Sequence, residues 1–271
     1  MRWYRVALDG GREALGYEDN DCIHLVDAPD LYHVMVGLPY NEVGVKIDIE
    51  QAKLLAPYMP RKIIAVGLNY ADHCEEDSSN IPESPVIFSK FLNTVNGPYS
   101  EISWAEGTTD KVDFEAELGV VVGKTVKGVS QSDAIQAVFG YVVANDVSAR
   151  DVQLSDGQWV RGKSFDGFCP FGPCVTTRSD IEDVQRLDIS CAVNGIRYQD
   201  SNTANMIFDV KYLVSFLSQS MTLEPGDLIL TGTPEGVGNF QTPPVFMRKG
   251  DIVRVEIERL GAIENPIAGP I

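Results

Sequence analysis

The stretch VDFEAELG, residues 112–119, sets three carboxylates at alternate positions: Asp113, Glu115 and Glu117. Side chains of an extended strand alternate between faces, so these three share one side while Val112, Phe114, Ala116 and Leu118 share the other. Same-face neighbours lie about 7 Å apart, where two carboxylates repel by roughly 2–2.5 kcal/mol at an effective dielectric near 20. On an exposed edge strand water screens this repulsion. Inside a protein a proton or a cation must intervene. The following run, GVVVG, reads as an interior strand, and an all-oxygen donor set suits Mg²⁺, Mn²⁺ or Ca²⁺ better than zinc. Another carboxylate, Asp146, closes the apolar run GYVVAND. Its position fits a metal ligand and the cap of a following turn equally well.

Two other stretches carry chemistry. In HCEE, His73 and Glu76 stand three residues apart and share a face of a helical turn. A carboxylate there can orient the imidazole and raise its basicity, leaving it to act as a general base; the competing reading is a surface helix with a solitary histidine. The run GQWVRGKS, residues 157–164, fits the phosphate-loop pattern G-x-x-x-x-G-K-[ST] letter for letter. A working phosphate loop leaves a buried strand and opens a helix, whose free N–H groups face the anion. Here the preceding ARDVQLSD is no continuous apolar strand, and two glycines and two prolines in the following FDGFCPFGPCV forbid a helix. Lys163 therefore needs another role. Five cysteines, an odd number without C-x-x-C spacing, read as reduced thiols.

The elements that would hold these residues follow from the whole chain. Its 271 residues are 44% hydrophobic and 23% charged, an ordinary globular composition. The net charge of −17, from 39 acidic and 22 basic side chains, supplies no basic stripe to displace counterions, which excludes nucleic acid as a partner. No run approaches the roughly 18 apolar residues of a membrane span, and the N-terminal MRWYRVALDGGREALGY lacks a signal-peptide core, so a cytoplasmic protein is expected. RWYRVAL, EALGYE and CIHLVDA read as short strands, IDIEQAKLLAPY as a helical link, and Pro57 and Pro60 as a boundary. The expected organisation is a small β-rich N-terminal domain, residues 1–58, and a catalytic domain, residues 59–271. Six or more turn-bounded strands in the latter point to a mixed β, α+β architecture rather than a doubly wound sheet. Two helices are expected, over SQSDAIQAVFG with Ser130 or Ser132 as cap and over ANMIFDVKYLVSFLSQSM. The polar segment 72–85 reads as a loop able to close over a site.

Taken in order, NYADHCEE, PVIFSKF, VDFEAELG, NDVSARDVQ, GKSFDGFCPFGP and LILTGTPEGVG resemble the fumarylacetoacetate hydrolase superfamily. The likeness runs from about residue 63 to the C-terminus, and the N-terminal segment is similar to a small domain that many members carry. The resemblance implies a β-roll catalytic domain, a homodimer, and Mg²⁺ or Mn²⁺ held by Glu115, Glu117 and Asp146, with Asp113 beside the ligands but not among them. It makes Lys163 an active-site cation, His73 and Glu76 the catalytic pair, and Lys90, Arg150, Gln153 and Thr233 substrate-binding positions. The implied substrates are small 2-oxo acids, whose reaction moves negative charge onto the 2-oxo oxygen; a cation and a lysine stabilise that charge. The first reading is a hydrolase that cleaves a C–C bond of a 2,4-dioxo acid (acylpyruvate or fumarylpyruvate-like), with water activated by His73. The alternative is an oxaloacetate decarboxylase, tautomerase or isomerase using the same site without water. A catalytically silent module that binds metal and small dicarboxylates is the third reading.

Overall fold

The strand Ala116–Val122 is buried at every position, as expected of a near-continuous apolar run covered on both faces. In the computed structural model, which describes residues 1–76 and 79–271, this strand lies inside a 12-stranded sheet. On one side the sheet continues through Val138–Asn145, Cys169–Thr177, Arg2–Ala7, Glu13–Asp19, Cys22–Val26 and Glu42–Asp48. On the other it continues through Leu228–Leu230, Ile63–Gly67 and Val86–Lys90. Along this path only the contact between Leu228–Leu230 and Ile63–Gly67 is parallel. The N-terminal strands are continuous with the rest: Arg2 pairs with Thr176 and Trp3 with Val175, and Trp3 and Leu15 share a core with Ile63, Val121, Phe171 and Leu230.

A second sheet of four strands runs in the order Ile196–Asn202, Asp188–Val193, Ile252–Ile257, Gly261–Pro266. Its strand IVRVEI alternates exposed and buried residues, the period-two signature of a strand with one wet face. Val253, Val255 and Ile257 pack into the same core as Leu118, Val120, Leu213 and Leu217. The last two belong to the helix Val210–Ser220. This sheet-dominated mixture of strands and a few helices is the mixed β, α+β class expected from the sequence. Among the described residues no helix is long and apolar enough to cross a membrane.

Three expected helical stretches come out shorter, each for a local reason. The helix expected from residue 204 begins at Val210, because the Asp209 carboxylate accepts the N–H of Tyr212 at 2.7 Å and caps it. Ile207 and Phe208, ahead of the cap, donate instead to the carbonyl and the side-chain oxygen of Asn69. In SQSDAIQAVFG, Ser130 caps one α-helical turn, Gln131–Ala134, a 3-10 turn Ile135–Ala137 follows, and Val138 already starts a strand. In the presumed link, Asp48 caps the turn Ile49–Gln51, and Lys53–Leu55 then pairs with Arg2–Ala7 as a strand.

Candidate active site

The acidic residues meet where two paired strands leave the main sheet. Ala116 and Glu117 lie opposite Asn145 and Ala144 in the ladder. The ladder then breaks and resumes as Val112–Asp113 against Ser148–Ala149. Across the break, the Asp146 N–H donates to the Glu115 carbonyl at 2.9 Å, and the Glu115 N–H donates to Oδ1 of Asn145 at 3.0 Å. The strand expected to run unbroken from 112 to 118 is thus interrupted at 114 and 115. Glu115, Glu117 and Asp146 converge in consequence, each offering an oxygen within 4.8 Å of the others, and all three are buried. Asp113 is engaged elsewhere: it accepts from the N–H groups of Gly238 and Asn239 at 2.8 and 3.0 Å and from Arg150 Nε at 2.8 Å.

Cations surround this cluster unevenly. Lys163 Nζ lies 2.7 Å from Glu115 Oε2 and 2.8 Å from Asp146 Oδ2. Lys90 donates to Asp146 and, at 3.2 Å, to the Val147 carbonyl. Arg150 forms ion pairs with Asp113 and Glu115, both at 2.8 Å. Among the described residues, Glu115 and Asp146 therefore each have two cationic partners in ion pairs, and Glu117 has none. Glu117 accepts from the Gly232 N–H at 2.8 Å; Gly232 adopts φ +96°, open to a residue without Cβ. Burial, then the charges of Asp146 and Glu115, push the Glu117 carboxyl well above the usual range. Burial also opposes ionisation of Glu115, but Lys163 and Arg150 outweigh it and hold that carboxyl down at about 2. Burial would lower the Lys163 ammonium, yet Asp146 and Glu115 keep it above its ordinary value. A buried acidic triad with one uncompensated carboxylate and hard oxygen donors fits a divalent cation of the Mg²⁺ class.

Glu115 and Glu117 of the cluster line a cavity of about 120 Å³, together with His73, Arg150, Gln153, Lys163 and Thr233. His73 sits on the short helix Ala71–Glu76. Its Nδ1 lies 3.1 Å from Glu76 Oε2, and Glu76 Oε1 accepts the Gly236 N–H at 2.9 Å. With Nδ1 engaged, Nε2 is the ring nitrogen available for proton transfer. Gln153 is oriented by Arg150, at 3.1 Å, and Thr233 Oγ1 accepts from Gln199 at 2.8 Å. Of the ten residues singled out from the sequence, Asp146, Lys90 and Glu76 stand behind the wall: Lys90 supports Asp146, and Glu76 supports His73. Lys90 was expected to touch substrate, but its ammonium is engaged by Asp146 and Val147 instead. The segment 72–85 expected to act as a lid includes residues 77 and 78, which lie outside the described residues.

Residues 157–164 make no phosphate loop. They follow the helix Arg150–Ser155 as turns, and no helix opens after Ser164. Sequence reasoning also passed over Gln199, which accepts from the Ala116 N–H at 2.8 Å and so ties the second sheet to the ligand strand. Nothing in IRYQDSN marks it. The aromatic walls Phe88, Trp159 and Phe240 were equally unassigned.

This fold and site define a known class. The family model described as fumarylacetoacetate (FAA) hydrolase C-terminal matches residues 62–268, a span that holds the whole cluster, and the chain belongs to that family. It is 50% identical over 223 residues to "Oxaloacetate tautomerase Fahd2a, mitochondrial" of Rattus norvegicus, covering 82% of this chain and 71% of that protein. Its fold superposes with a TM-score of 0.91 on the fumarylacetoacetate hydrolase of Exiguobacterium antarcticum, at 37% identity over 100% of both chains. The TM-score is 0.83 against a 2-hydroxyhepta-2,4-diene-1,7-dioate isomerase of Mycobacterium marinum, at 36% identity over 99% of this chain and 98% of the other. These names support an enzyme. They also correct one expectation: the rat relative and its counterparts in Xenopus laevis and Bos taurus are named as mitochondrial, against the cytoplasmic placement read from the N-terminus.

Proposed function

We propose that this enzyme interconverts the keto and enol forms of a small 2-oxo diacid of the oxaloacetate type, without consuming water. The observation that carries the reading is the meeting, on one cavity of about 120 Å³, of a proton-transfer pair, His73–Glu76, with a charge-stabilising cluster around Lys163. Glu115, Glu117 and Asp146 would hold Mg²⁺ or Mn²⁺, which when bound supplies Lewis-acid stabilisation of negative charge on the 2-oxo oxygen. Arg150 and Lys163 attract the substrate carboxylates. His73 Nε2 takes the proton from C3; the C–H electron pair becomes the C2–C3 double bond, and the carbonyl electrons move to the 2-oxo oxygen. Lys163 stabilises that developing charge more than the neutral ketone, which is what lowers the barrier. Proton return to the oxygen completes the enol, and the reverse sequence regenerates the ketone.

The same groups would serve C–C hydrolysis if His73 activated water, the reading favoured by the sequence alone. The relatives named as oxaloacetate tautomerases and as an isomerase favour the alternative. NMR in D₂O separates the two: deuterium should enter C3 of oxaloacetate at an enzyme-dependent rate, faster than any acylpyruvate is cleaved. Faster cleavage of acylpyruvate would restore the hydrolase.

A further inference from the structure

The run GQWVRGKS contains Lys163, and Trp159 near its start lines the same cavity. The indole edge lies against the backbone of Gly67: a Cβ built there would sit 2.3 Å from Cζ3 and 2.8 Å from Cη2 of the ring. The ring also meets Phe88 edge-to-face, with centroids 5.3 Å apart at 73°, and the Phe88 ring lies 5.3 Å from Lys163 Nζ. Main-chain bonds couple the indole to the lysine. The Lys163 N–H donates to the Trp159 carbonyl at 3.0 Å, and the Gly162 carbonyl accepts from Ala149 at 2.8 Å. One turn thus presents a cation and an aromatic wall to the same small space.

We propose that Trp159 is a specificity-determining residue that limits the length of acid the cavity admits. Seated on Gly67 and braced by Phe88, the indole closes part of the cavity that Glu115, Glu117 and Lys163 also line, so an acid held at those groups meets it as its chain lengthens. A rigid wall of this kind rejects an added methylene by roughly 10–200-fold. The inference rests on the reading of the site as one for small 2-oxo acids. It also accounts for Gly67: any side chain there would displace the indole, so glycine is required only while Trp159 is present.

Calorimetric titration of the Mg²⁺-loaded protein with oxalate, 2-oxoglutarate and 2-oxoadipate tests this without turnover. The wild type should bind 2-oxoglutarate at least about tenfold more weakly than oxalate, and 2-oxoadipate more weakly still. In Trp159→Ala the gradient should shrink to about threefold or less through tighter binding of the longer acids, with Trp159→Phe intermediate and available should the alanine variant fold poorly. Gly67→Ala should lower oxalate affinity in the wild type and cost little in the Trp159→Ala background. The proposal is overturned if the longer acids bind Trp159→Ala no better than wild type, including the case in which neither protein binds them. It is also overturned if Gly67→Ala costs the same in both backgrounds. A wild type that shows the size gradient but no oxaloacetate turnover contradicts the tautomerase reading and leaves the wall in place.

Discussion

The backbone N–H of Asp146 donates to the carbonyl of Glu115 at 2.9 Å, so two candidate metal ligands 31 positions apart in the chain are fixed to each other by the main chain as well as through the Lys163 ammonium that their carboxylates share. The break in the ladder at this point turns the carboxylates of Glu115, Glu117 and Asp146 toward one centre. Their geometry is therefore set before any ion arrives, and what remains is a charge imbalance that an ion can correct.

That imbalance makes cation binding exchange for a proton. Burial, then the charges of Asp146 and Glu115, push the Glu117 carboxyl well above the usual range and so favour a proton on it in the metal-free protein. Mg²⁺ must displace it. Calorimetry in buffers of different ionisation enthalpy should register proton release on Mg²⁺ binding, and Glu117→Gln should bind Mg²⁺ weakly with no such release. Release of no proton by the wild type would contradict the assignment.

The same two glutamates act oppositely on stability in the metal-free protein. A carboxyl with a raised folded-state pKa keeps its proton longer when folded, so Glu117 makes stability fall as pH rises from the ordinary glutamate value of ~4.3 toward the raised one. Glu115, held at about 2 by Lys163 and Arg150 against the effect of burial, contributes stability that is full above the ordinary range and is lost as pH falls toward 2; the contribution is on the order of 3 kcal/mol. Urea denaturation of wild type and Glu117→Gln should therefore diverge above pH 5, with the variant losing less stability as pH rises. Parallel curves there would contradict a raised Glu117 carboxyl.

Lys163→Met leaves Glu115 and Asp146 with one cation each. Removing one member of a buried charge cluster typically costs about 3–5 kcal/mol, and saturating Mg²⁺ should restore part of it, since binding at 100 times Kd stabilises by about 2.7 kcal/mol. ATP should give no binding heat with the wild-type protein. Saturable ATP binding that disappears in Lys163→Met would revive the phosphate-loop match of residues 157–164.

Asp113 fixes Arg150 and the backbone of Gly238 and Asn239 without joining the acidic centre. Asp113→Ala should cost about 1–3 kcal/mol or more in denaturation, because it leaves Arg150 Nε and two N–H groups without their acceptor while Glu115 still pairs the guanidinium, and yet retain the Mg²⁺ proton release described above. Loss of metal binding at unchanged stability would make Asp113 a ligand.

The type of chemistry was legible in the sequence more readily than the arrangement that performs it. Strand alternation assigned Asp113, Glu115 and Glu117 to one face, but the strand is interrupted at 114–115 and Asp113 is separated from the others, bound to Arg150 and to the 238–239 backbone. Such partners lie far along the chain, and no local period announces them. Lys90 was read as a substrate contact for the same reason: that it stands behind Asp146 depends on the pairing of Ile63–Gly67 with Val86–Lys90 and on the order of strands across the sheet. Gln199 reaches the site only through the second sheet, and Trp159 only because Gly67 leaves room for it. By contrast His73 and Glu76 are neighbours on one helical turn, and their 3.1 Å contact is what an i,i+3 spacing provides.

The account turns on proton transfer by His73 at a site charged by the acidic triad, and the decay of enol oxaloacetate absorbance tests it most directly. With Mg²⁺ present, the wild type should speed this decay with keto oxaloacetate as the product. His73→Ala should slow it about 10²–10⁴-fold while Mg²⁺ still binds, and Glu117→Ala or a chelator should abolish it. Enol decay accelerated equally by wild type and His73→Ala, or unaffected by the enzyme altogether, would contradict the account.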